Sequence, residues 1–140
     1  MNHLQQFTNI TGEIDALYHE AAFLLGQSDS TMTVLYTVRA NGGQCSISDI
    51  CRLSGIRKQT LNSALRKMEQ EGLIALEADG AKAKTVVFTK EGAERAEQTA
   101  GRLQAMEDNA LADWTPEEVE QYLALSNRFL SRFREQVAKL

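Results

Sequence analysis

Apolar residues at the start of the chain fall at Phe7, Ile10, Ile14, Leu17, Tyr18, Ala21, Leu24 and Leu25. Gaps of three and four trace one stripe of an amphipathic helix of about six turns. Gly26 ends it, and Ser28-Asp29-Ser30 supplies a polar break and a cap for the next helix. Residues 31–40 carry Met32, Val34, Leu35, Tyr36 and Val38, apolar on more than one side, which predicts a short helix central to the core. Asn41-Gly42-Gly43 stops it. Ser46, with Asp49 three residues on, predicts the capped start of a third helix that turns Ile47, Ile50 and Cys51 inward. Ser54-Gly55-Ile56 reads as a tight turn. A fourth helix follows, its Leu61, Ala64, Leu65 and Met68 on one face, and Gly72 closes it.

The period then changes. Residues 73–76 and 85–88 are β-prone runs joined by a polar, glycine-containing stretch over 77–84, which predicts a hairpin. Helical spacing returns through Ala93, Ala96, Ala100, Leu103, Met106, Ala110 and Leu111, read as one long helix. Thr115-Pro116-Glu117-Glu118 opens the last helix with a cap, a proline and acids at the positive dipole end. Its stripe runs through Val119, Tyr122, Leu123, Ser126, Phe129, Leu130, Phe133 and Val137. The expected fold is mainly α, with a small two- or three-stranded β wing. A helix–turn–helix–hairpin lobe over 29–90 lies between long helices over 1–28 and 91–140. Those end stripes exceed what one small globule covers, which predicts a two-fold symmetric homodimer formed through them.

Composition narrows the function. The 140 residues are 43% hydrophobic and 24% charged, ordinary for a globular protein. A net charge of −4 excludes a globally basic nucleic-acid binder but not a locally basic one. Between Arg52 and Lys67 there are five basic residues and no acidic one. Residues 52–84 hold seven basic against four acidic, or +3, so the remainder carries −7. Two cysteines, Cys45 and Cys51, are too few for a disulfide framework and point to a reducing compartment. No apolar run approaches the ~18 residues of a membrane span. The first residues, MNHLQQFTNITGE, lack the pattern of a signal peptide, so the expected location is the cytoplasm, with no membrane partner.

The fourth helix carries the candidate chemistry. Lys58, Gln59, Thr60, Asn62, Ser63 and Arg66 lie off its apolar stripe, flanked by Arg57 and Lys67. Short polar and bidentate side chains of these types read base edges in the major groove of duplex DNA. A helix face that is merely solvated would carry more Glu and more i, i+4 salt pairs.

Ser48-Asp49-Ile50-Cys51-Arg52-Leu53-Ser54-Gly55-Ile56, followed by residues 59–74, resembles the multiple-antibiotic-resistance regulator (MarR) family. The hairpin exit Val86-Val87-Phe88-Thr89-Lys90-Glu91-Gly92 and the Thr115-Pro116-Glu117-Glu118 helix start are similar to that family too. The resemblance implies a winged helix-turn-helix transcriptional regulator, most simply a repressor. Its dimer would bind a pseudo-palindromic double-stranded DNA operator. Lys82 and Lys84 would then be the wing residues that approach the minor groove. It also implies a small aromatic effector bound where the end helices meet the middle lobe. Tyr18, His19, Tyr36 and Arg39 are candidates to line that cleft, with packed core aromatics as the alternative for Tyr18 and Tyr36. Two positions depart from the family's pattern: Lys82 stands where the wing usually has arginine, and Arg57 where a Ser or Asp cap commonly opens the recognition helix.

Other features are weaker. No nucleophile elbow, phosphate-cradling glycine loop or Cys-x-x-Cys pair occurs, so no enzyme activity and no cofactor are expected. His3 and His19 do not make a zinc site. Glu13, Asp15 and Glu20 read as a solvated face, and Trp114 as a packing anchor. The thiols read as small buried hydrophobes before they read as a redox switch. A winged helix that docks proteins instead of DNA is the alternative function, and a small-molecule enzyme the third.

Overall fold

A computed structural model describes residues 2–79 and 83–140. In it α1 (His3–Leu24) starts at Asn2, whose side chain accepts from the Gln5 N–H. α2 (Asp29–Ala40) is capped by Ser28, as the polar break predicts. Met32, Val34, Leu35 and Val38 of α2 are all buried, which makes this short helix the centre of the core. β1 (Gln44–Ser46) leads into α3 (Ile47–Ser54), and Ser46 caps that helix by accepting from the Asp49 N–H at 3.1 Å. The Asp49 carboxylate does not return to Ser46; it pairs with Arg52 at 3.2 Å. α4 (Lys58–Gln70) buries Leu61, Ala64, Leu65 and Met68, the four residues its spacing selects.

β2 (Ile74–Asp79) and β3 (Ala83–Phe88) pair antiparallel from Ile74↔Phe88 out to Asp79↔Ala83. Both strands reach further into the 77–84 stretch than the apolar runs alone predict, because backbone pairing continues past the last buried side chain. β1 adds to the other edge of β3 with Cys45 opposite Val86, giving the order β1-β3-β2. This third strand falls on residues that read only as the approach to α3.

α5 (Lys90–Gln98) is fastened to the end of the sheet. Thr89 caps it by accepting from the Gly92 N–H at 3.1 Å, and its own hydroxyl donates to the Gly72 carbonyl at 2.6 Å. Gly92 is required here: a Cβ would sit 1.8 Å from the carbonyl oxygen of Leu73. The single long helix expected over 93–111 is a correction. It breaks at Thr99 into α5 and α6 (Ala100–Ala110). The Thr99 hydroxyl donates to the Arg95 carbonyl at 2.7 Å, and its N–H turns to Ala96 at 3.4 Å. A threonine that bonds back onto its own helix in this way bends it.

The backbone forms two compact units, 1–105 and 106–140. The core of the first gathers Leu35, Ile50, Leu61, Leu65, Met68 and Val86, all fully buried. The second contains α7 (Pro116–Val137), opened by a complete capping box between Thr115 and Glu118. Trp114 packs edge-on against Tyr122, with ring centres 5.6 Å apart, and Phe129 stacks on Phe133 at 5.5 Å. No helix of the described residues is long and apolar enough to cross a membrane.

Candidate nucleic-acid interface

The site is built on the turn between α3 and α4. Gly55 ends α3 in the left-handed region at φ 75°, which lets the chain reverse sharply and start α4 three residues later. Ser54 braces the turn by accepting from the Ile56 N–H at 3.2 Å. On its inner side α4 is pinned by Leu61, Leu65 and Met68. Its opposite side is therefore held outward by the packing of the helix.

All eight candidate residues on or beside α4 are exposed: Arg57, Lys58, Gln59, Thr60, Asn62, Ser63, Arg66 and Lys67. Gln59, Asn62, Ser63 and Arg66 recur at three- and four-residue intervals, so they share the face away from the core. Among the described residues, Arg57, Lys58, Arg66 and Lys67 form no ion pair. The Gln59 and Asn62 amides are equally uncommitted among the described residues. Ser63 is partly spent, its hydroxyl donating to the Gln59 carbonyl at 3.2 Å. Arg52, counted in the basic run, is already tied to Asp49.

Arg57 occupies the N-cap position of α4 and contributes no capping bond. The first-turn N–H groups of α4 thus keep their capacity for an outside acceptor, beside two side-chain cations. Backbone N–H groups, Arg57 and Lys58 together form a place for an anionic oxygen. Along the same face, uncommitted amides offer paired donor and acceptor atoms. This combination can hold a polyanion at one end and read hydrogen-bonding edges along its length.

In the wing, Lys84 is exposed on β3 opposite Ala78. Lys82 lies outside the described residues.

The four residues expected around an effector sit in the first unit with distinct surroundings. Tyr18 and His19 are exposed on α1, and His19 Nδ1 lies 2.6 Å from Asp29 Oδ2 at the start of α2. Tyr36 packs half-buried against the core. Arg39 is engaged: it donates to both Glu97 oxygens, at 2.8 and 3.2 Å, and to the side chain of Gln104. Its bond to Glu97 is the main cause that raises the Arg39 pKa, and it holds the Glu97 carboxyl below its usual range. This tie between α2 and the α5–α6 break has no local signature, because its partners are 58 residues apart. Cys45 is buried on β1, and desolvation, then Asp49, pushes its thiol up while Arg52 opposes.

Residues 25–84 match a family model described as MarR family. The chain is similar to a MarR family regulator from Neisseria meningitidis at 18% identity, with 99% of each chain covered and a TM-score of 0.89. A MarR family transcriptional regulator from Silicibacter pomeroyi is similar at 24% identity, with 91% of this chain and 86% of that chain covered and a TM-score of 0.75. MepR of Staphylococcus aureus, in its complex with DNA, is similar at 21% identity, with 94% and 96% covered and a TM-score of 0.73. These likenesses establish the winged helix-turn-helix fold. No curated protein matches the chain.

Proposed function

We propose that this chain belongs to the MarR family, whose model matches residues 25–84, and that it is a transcriptional regulator binding duplex DNA in a sequence-specific manner. One observation carries the proposal: α4 presents uncommitted amides between exposed cations that have no ion-pair partner among the described residues. α4 enters the major groove, where Gln59 and Asn62 meet base edges and Arg66 reaches a guanine or a phosphate. Arg57, Lys58, Lys67 and the first-turn N–H groups of α4 hold the backbone. Lys82 and Lys84 bring the wing to the flanking minor groove. The likeness to MepR, solved in complex with DNA, supports the same reading.

The functional unit in this proposal is a homodimer. Its two recognition helices read half-sites roughly 10 bp apart. A small aromatic effector that fits one spacing of those helices better than another shifts the affinity for DNA, and the regulator acts as a repressor.

Selection of bound sequences from a random duplex library, read at two salt concentrations, tests the proposal. A recurring two-fold motif, with affinity that falls steeply as salt rises, is the expected result. Dimers that retain no duplex at either salt concentration contradict it and favour a protein-docking winged helix.

A further inference from the structure

A cavity of about 520 Å³ lies beside Thr99, where α5 breaks into α6, and reaches the end of α1. It is distinct from the helix face assigned to DNA, and it includes none of Tyr18, His19, Tyr36 and Arg39. Its lining is chemically divided. Leu24 and Leu25 supply the apolar part, and Leu24 is 73% exposed. Arg95 and Arg102 supply two positive charges, Gln98 adds an amide donor, and no acidic side chain contributes to the lining.

Among the described residues, neither Arg95 nor Arg102 forms an ion pair. Glu97, on the same helix as Arg95, is taken by Arg39. The Thr99 hydroxyl is spent on the Arg95 carbonyl, and the Gln27 amide group donates to the Leu25 carbonyl at 3.3 Å. The break sets the negative end of α5 beside the positive end of α6, so the helix dipoles largely cancel. The field in the cavity is therefore that of two guanidinium groups with no internal counter-charge.

We propose that this cavity binds an organic carboxylate with an alkyl tail. The planar guanidinium fork matches a carboxylate in two parallel hydrogen bonds. The apolar lining is leucine without an aromatic ring, which suits an alkyl chain held by dispersion and water exclusion. The volume lies within the ~300–1,000 Å³ of small-molecule sites.

Calorimetric titration of the full chain with sodium octanoate, without DNA, tests the proposal independently of the DNA reading. Saturable binding is expected. Arg95→Gln and Arg102→Gln should each weaken it about tenfold or more, since a hydrogen bond to a charged group is lost. Octanol, with the same tail and no charge, should bind at least about tenfold more weakly, and Leu24→Ser should cost a few-fold. Lys90→Gln, outside the cavity, should change nothing. Because Arg102 is exposed, its variant keeps the fold even where Arg95→Gln does not, as a melting curve will show. Absence of saturation at millimolar octanoate, equal affinity for octanol, or unchanged affinity in a folded Arg102→Gln variant each overturns the proposal.

Discussion

A methyl group at position 92 would place its carbon 1.8 Å from the Leu73 carbonyl oxygen, so Gly92→Ala must push apart the first turn of α5 and the entry to β2. Strain of this kind costs about 1–3 kcal/mol, and backbone on one side of the clash puts the expected value at the upper end. Urea unfolding should show that loss, and an unchanged midpoint would contradict the geometry. Burial gives Cys45 the opposite kind of constraint. Its thiol is pushed up and enclosed, so the nucleophilic thiolate is scarce near neutral pH. Alkylation of the folded protein followed by mass spectrometry should label Cys51 well before Cys45. Equal labelling rates would show that β1 opens more easily than its pairing with β3 indicates.

The elements differ in how far local sequence determines them. Ser28, Ser46 and Thr115 cap the helices they precede because a cap needs only a side-chain oxygen and the N–H three residues on. The inward face of α4 follows from spacing alone, and so does the outward position of Gln59, Asn62 and Arg66. β1 was not legible in the same way: three residues become a strand only because β3, far along the chain, offers a free edge. Nor was the break at Thr99, since apolar spacing runs through it undisturbed while the backbone bond is diverted by a hydroxyl. The unpaired state of the α4 cations and the capture of Arg39 by Glu97 likewise depend on which acids the fold brings near. That last tie has a pH signature. Arg39 holds Glu97 below its ordinary value of 4.5, so its stabilisation is fully present above that pH and is lost as pH falls through the lowered value. Glu97→Gln should therefore melt earlier than the parent protein at pH 7, with the gap closing as the pH falls from 4.5 through the lowered value. A gap that persists at acid pH would mean the pair contributes by shape and not by charge.

At the scale of the molecule, two apolar surfaces remain on the outside. On α1 they include Phe7, Ile10, Ile14 and Leu17; on α7 no residue is buried, and Leu123, Leu130, Phe133 and Val137 are exposed. Surfaces of this extent belong in an interface, and a second copy of the chain is the occupant proposed above. Light scattering should find a dimer throughout the micromolar range, and a stable folded monomer there would contradict that part of the proposal. The central claim, that α4 reads DNA, is tested most directly by comparing affinity for a selected duplex with affinity for random duplex in Gln59→Ala and Asn62→Ala. Each substitution should cost about 1–3 kcal/mol on the selected site and leave binding to random duplex nearly unchanged, because neither side chain carries charge. If both variants keep the parental ratio of selected to random affinity, α4 is not the reader.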